Sequence, residues 1–316
     1  MSTLRKSGKE KLHFKIMNNN VANSDFKHLK DICLECLNEN ADIAEKLDLY
    51  YKDIQVIFFY KTTDKNVGAI INRILNDQTP PESPKPTPAF SRSRSNVGII
   101  AIFTSHLMES IKKRTDIKDV EGYIKNGIFE EFCHLVEQKG DSSMHPNSYW
   151  LLWGIYRARN LLLFGNEIIA QLDTDRNHYE VYSLMLKAYP NDWVKRYSSY
   201  NSQKPEEVEQ QYQKWKISIP INVAHARLVT DFLRTLNFQY VLQKALKEKL
   251  TQENTLLLTK MIEVGKKVIE TRRRLIETEI GLSALALIDS LDESVFKSPE
   301  TFFAIILDLW RNLRLI

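Results

Sequence analysis

The stretch VEGYIKNGIFEEFCHLVEQ, Val120 to Gln138, decides how the chain is read. Stepped at about 100° per residue from Glu130 at 0°, its apolar residues Ile124, Ile128, Phe129, Phe132, Leu135 and Val136 gather between about 120° and 260°. Glu130, His134 and Glu137 form a stripe on the other side, at i, i+4 and i+7, with Glu131 beside it. The spacing predicts an amphipathic helix whose apolar face lies on a sheet. Asp119 stands where an N-cap belongs, and Gly140 where the helix should stop. Gly127, near the polar stripe, costs the helix roughly 1 kcal/mol relative to Ala. It leaves room for close approach by a ligand or by another backbone.

The sheet for that helix comes from the residues ahead of it. DIQVIFFYKTT, Asp53 to Thr63, and NVGIIAIFTSHL, Asn96 to Leu107, are dense in β-branched and aromatic residues and read as strands. Between them TPPESPKPTPAFSRSRS carries five of the ten prolines, Pro80, Pro81, Pro84, Pro86 and Pro88, so residues 78–96 are expected to be a surface loop. Arg92 and Arg94 among its serines read as solvated linker. Residues 1–20 are polar and basic and read as a tail. A helix is expected over about 25–47, and 67–75 fits a short strand or a helix. Everything beyond the opening stretch has helical periodicity, over about 147–171, 176–189, 205–216, 222–249, 252–279 and 298–314. The implied class is α+β and predominantly helical. A small-sheet domain over residues 21–190 would be followed by a helical domain over 191–316.

Composition narrows the function. The 44 basic and 40 acidic residues leave a formal charge of +4, without the strong basic excess of a nucleic-acid binder. No apolar run approaches the roughly 20 residues of a membrane span. The start of the chain lacks an apolar signal core, and three cysteines in 316 residues are too few for a disulfide framework. A reducing cytoplasm is the simplest compartment. No Gly-rich phosphate loop or nucleophile elbow occurs. Nothing indicates nucleic acid or membrane, and the oligomeric state is not encoded in any pattern; a peptide or protein partner is what the two functional readings below imply.

The chemistry lies in the polar stripe. Two ligands at i and i+4 on one helix project side by side and can grip a single metal ion. A carboxylate one place after the first, here Glu131, reaches a water bound to that metal. Residues 130–134 read Glu-Glu-Phe-Cys-His, which resembles the HExxH motif of zincin metallopeptidases with Glu in place of the first His. The setting is similar too, because in zincins an edge strand and a loop precede the active-site helix and a helical subdomain follows. The resemblance covers about residues 25–190. It implies a zincin-like domain with zinc held by Glu130, His134 and a gluzincin-type third ligand on a later helix, Glu180, followed by the small Ser183. Glu131 would be the catalytic base. Glu137 and His178 are alternate ligands. The Glu at position 130 adds negative charge at the metal and lowers its Lewis acidity, so the implied protein is metallopeptidase-like, and catalytically active only if that charge is tolerated. The competing reading is a non-enzymatic helical interaction or scaffold protein in which the stripe is simply a polar helix face.

Other patterns carry less. Glu131-x-x-His134 lacks the second such pair that a di-iron bundle needs. Cys33-x-x-Cys36 has no matching second pair for zinc and alternates with Leu34 and Leu37, which makes both cysteines core residues. His145 is a weaker substitute ligand, and His106 and His225 have no partner signal. KKVIETRRRLIETE, Lys266 to Glu279, reads as a solvated face with ion pairs. Trp150, Trp153, Tyr156 and Phe164 read as core.

Overall fold

Two of the apolar strands make the middle of a four-stranded sheet in the computed structural model, which describes residues 12–63, 66–77, 87–113, 119–139, 162–198 and 203–312. Strand β1 is His13–Asn19, β2 is Asp53–Phe59, β3 is Ala89–Arg94 and β4 is Val97–Phe103, in the spatial order β1-β2-β4-β3. β1, β2 and β4 run parallel and β3 is an antiparallel edge. The chain divides into two compact units, Met1–Met144 and His145–Ile316. The sheet belongs to the first unit, and the second is helical. The class is therefore α+β and mostly helical, as the sequence implied.

Parallel neighbours need crossovers, and the helices supply them. α1, Asn23–Glu39, and α2, Ala41–Tyr50, link β1 to β2. α3, Val67–Ile74, follows β2. Because β2 and β4 are buried on both faces, they read as near-continuous apolar runs rather than alternating ones. On one face Ile57, Phe59, Ile99, Ala101 and Phe103 pack with Val67, Ile71 and Leu75 from α3 and its end. The opposite face meets α1 and the helix of the opening stretch. Phe26 of α1 lies edge-on to Phe58, and Phe14 of β1 approaches Phe132 at 6.1 Å between ring centroids. Tyr51 donates a buried hydrogen bond of 2.6 Å to the Leu135 carbonyl. Both Tyr51 and Leu135 crowd Gly98 of β4. A Cβ at Gly98 would sit 3.1 Å from the tyrosine ring and 3.2 Å from the leucine, so glycine permits this approach.

Helix α5, Val120–Gln138, carries the opening stretch. Asp119 caps it by accepting from the Gly122 N–H at 2.9 Å, and the left-handed residue that ends it is Lys139, one place before the expected Gly140, which lies outside the described residues. All six residues expected on its apolar face are buried. Cys133 and Asn126 are buried as well, so the covered arc is wider than the sequence indicated. Lys125 ties α5 to α1 through Glu39 at 2.7 Å and Glu35 at 3.6 Å.

Four expectations need correction. His13–Asn19, placed in a tail, is β1; its alternating pattern of half-buried and exposed residues suits an edge strand and lacks the apolar density that marks a central one. Residues 89–94, placed in the 78–96 loop, are β3, while 78–86 lie outside the described residues. Phe90 packs near Phe103, and Arg92 and Arg94, two and four places on, share its face and both reach Asp77 at 2.7 Å. The period-2 alternation of Ser and Arg was the strand signal, hidden by the prolines before it. The helix expected over 25–47 is broken at Asn40, whose side chain donates to the Cys36 carbonyl at 2.8 Å. After Phe103 the chain turns into α4, Thr104–Lys112, rather than extending the strand to 107.

The boundary between units precedes α6, Leu162–Ala188, rather than following residue 190. In the second unit α6 is followed by α7, Pro190–Tyr197, α8, Pro205–Ser218, α9, Ile221–Ala245, and α10, Gln252–Glu279. Then come α11, Leu282–Asp289, α12, Glu293–Lys297, and α13, Pro299–Asn312. Proline opens α7 and α8, where its missing N–H costs nothing. Gly281, at φ 114°, makes the break between α10 and α11 that an L side chain would resist. α9 packs against α6, α8 and α10 and is buried on several sides.

Candidate metal site

Glu130, Glu131, His134 and Glu137 all stand on α5, and all four are half-buried. The stripe is not the fully solvated face that an ordinary amphipathic helix shows. The ligand atoms of Glu130 and His134 lie within 4.8 Å of each other, as the i, i+4 spacing requires. Glu137, one turn further along, does not join them at that spacing. Glu131 sits next to the pair, off its axis by one residue.

The electrostatics suit a ligand. Burial lowers the His134 pKa, against the opposing pull of the Glu130 charge. The imidazole is therefore neutral near pH 7 with a nitrogen lone pair to give, the form a metal needs. One neutral imidazole beside one carboxylate is an ordinary donor pair for zinc. Cys133, between them in sequence, points into the core, and burial raises its thiol pKa well above the usual range.

The other expected ligands, His178 and Glu180, stand on α6 in the second unit, both half-buried. The His178 ring stacks on Tyr182 at 4.8 Å, nearly parallel. Ser183 donates to the Tyr179 carbonyl at 2.7 Å and accepts from Lys244 at 3.1 Å. His145, Trp150, Trp153 and Tyr156 lie outside the described residues, and so does the Phe164 side chain.

Cys33 and Cys36 are buried, unbridged thiols. Burial raises both pKa values, that of Cys36 to about 12, and the Cys36 thiol faces the Lys125 carbonyl at 3.6 Å. These are core residues, as their leucine neighbours suggested. His106 bonds to Thr62 Oγ1 at 3.0 Å, and His225 stacks with Tyr212.

The sequence hid one residue of interest. In the RRR run, Arg273 and Arg274 pair with Asp289 and Glu209 at the surface as expected, but Arg272 is almost fully buried. It falls on the helix face of Val268, Leu275 and Ile276, and that register was the available signal. Compared with protein-family models, curated proteins and solved structures, the chain matches none.

Proposed function

We propose that the chain is a metallopeptidase-like protein whose first unit binds a divalent metal, zinc, on α5 through Glu130 and His134. The observation that carries this reading is the half-buried carboxylate–imidazole pair on a helix laid against a sheet with an antiparallel edge strand. The edge strand β3 ahead of α5 and the helical unit after it agree with the order expected of a zincin. Zinc bound at this pair would polarise a peptide carbonyl and acidify water. Glu131, one place beyond the first ligand, is the base that would take the water's proton. Glu130 supplies a negative charge where a zincin has a neutral imidazole, which favours tight metal retention with little peptide hydrolysis.

The test is zinc content and affinity of tag-free protein, beside a peptide-cleavage assay. Wild type should hold one zinc per chain, and His134→Ala should hold none. Glu131→Gln should keep the metal and lose whatever cleavage wild type shows. The third ligand is whichever of Glu137→Gln, His178→Ala or Glu180→Gln weakens zinc as severely as His134→Ala. Wild-type protein that takes up no zinc when zinc is supplied refutes the site and leaves the scaffold reading.

A further inference from the structure

A cavity of about 490 Å³ lies within the second unit, lined by residues of α6, α8, α9 and α10 and by Gln203. Its size falls in the range of small-molecule sites, about 300–1,000 Å³. Arg272 lines it with a side chain only 6% exposed. Nη1 donates to Thr235 Oγ1, Nη2 donates to Gln203 Oε1 at 2.7 Å, and the Asp231 carboxylate stands at 3.8 Å. A guanidinium has five N–H groups. Two are engaged by neutral oxygens, so three have no hydrogen-bond partner among the described residues.

One carboxylate, Asp231, faces Arg272 at 3.8 Å, an ion pair beyond hydrogen-bond distance. Removing a guanidinium from water is costly unless a well-placed counter-charge and full hydrogen bonding offset it. Neutral amide and hydroxyl acceptors leave that need partly unmet. The lining also includes the aromatic side chains of Trp215, Tyr182 and Phe238, the residue type that takes a flat ring. A buried guanidinium and aromatic side chains in one lining define an occupant with both features.

We propose that this cavity binds a small molecule consisting of a planar ring that carries a phosphate or carboxylate, with Arg272 gripping the anion and Trp215 facing the ring. The proposal concerns the second unit and needs no zinc on α5; because His178, one candidate third ligand, also lines the cavity, the titrations are run on metal-free protein. The alternative role for Arg272 is a staple between α9 and α10, which would give stability and no ligand.

Four probes added to the full chain separate these: adenosine monophosphate and indole-3-acetate as ring anions, adenosine and indole as their neutral rings. Calorimetric titration should show at least one ring anion binding one-to-one with Kd below about 1 mM. Its neutral counterpart should bind at least about thirty-fold more weakly, the loss expected when a buried guanidinium has no anion to hold. Arg272→Gln should weaken the anion by a similar factor. Because that variant removes a buried residue, Gln211→Glu provides a second measurement: it places a negative charge on the half-buried wall and should also weaken binding while the protein stays folded. Failure of both ring anions to saturate overturns the proposal. So does equal binding of the neutral rings, or unchanged affinity in folded Gln211→Glu protein.

Discussion

Replacing Phe132 with Ala tests how α5 is seated. Phe132 has no exposed surface and lies against Phe14 of β1. Truncating a fully buried Phe removes its transfer free energy and leaves a cavity, a loss of about 3–5 kcal/mol. The ring pair with Phe14 accounts for about 0.5–1.5 kcal/mol of that. A domain is stable by only about 5–15 kcal/mol, so the change is a large share of the first unit's total. All five tryptophans lie at position 150 or beyond, so tryptophan fluorescence reports the second unit and misses this one. Hydrogen exchange read peptide by peptide avoids the problem. Slowly exchanging amides of β4 and α5 that open only on global unfolding should speed up by about two to three and a half orders of magnitude. Phe14→Ala and the double variant complete a cycle whose coupling should match the ring-pair figure. A loss below about 1 kcal/mol at Phe132, or acceleration confined to the end of α5, would refute the packing described.

Two further outcomes follow from ion pairs. Native protein should resist trypsin after Arg92 and Arg94, because both side chains are held by Asp77 and their backbone is paired in β3; Asp77→Asn should open both sites, and cleavage of wild type there at the same rate would refute the staple. In the second unit the Glu293 carboxyl is held down at about 2, chiefly by the hydrogen bond from Tyr179, with Lys297 and Lys244 assisting against burial. Its folded pKa lies below the ordinary 4.5, so its stabilising contribution is complete above about 4.5 and is lost as pH falls toward 2. Glu293→Gln should flatten the acid limb of the tryptophan unfolding curve in that window, and an unchanged acid limb would remove Glu293 as a cause.

The sequence made the middle of the sheet and α5 legible because burial dictates their residues: β2 and β4 are covered on both faces, and α5 shows its core in its period. The edges were illegible for the same reason. β1 and β3 each bury too little to need an apolar run, and Pro80 to Pro88 drew the eye to a loop. At the candidate site, spacing alone placed Glu130 beside His134. It could not reveal that the stripe is half-buried, since that depends on neighbours distant in sequence. Arg272 was hidden by its own composition, as one arginine of three.

Ser95 and Asn96, at φ 50° and 65°, make the left-handed two-residue turn that joins β3 to β4. Among the described residues it is the only pairing of strands joined by a tight turn; β1 with β2 and β2 with β4 must each close a far longer excursion. Hairpins form in about 1–10 μs, whereas distant pairings wait on the entropy of loop closure. The order of assembly should therefore run against the order of synthesis. β1 emerges first with no partner, the β3–β4 hairpin forms as soon as its turn is made, and the sheet is complete only when β2 seats between β1 and β4. A folding defect in this unit is therefore most damaging at Ser95 and Asn96, whose side chains contribute little to the finished core.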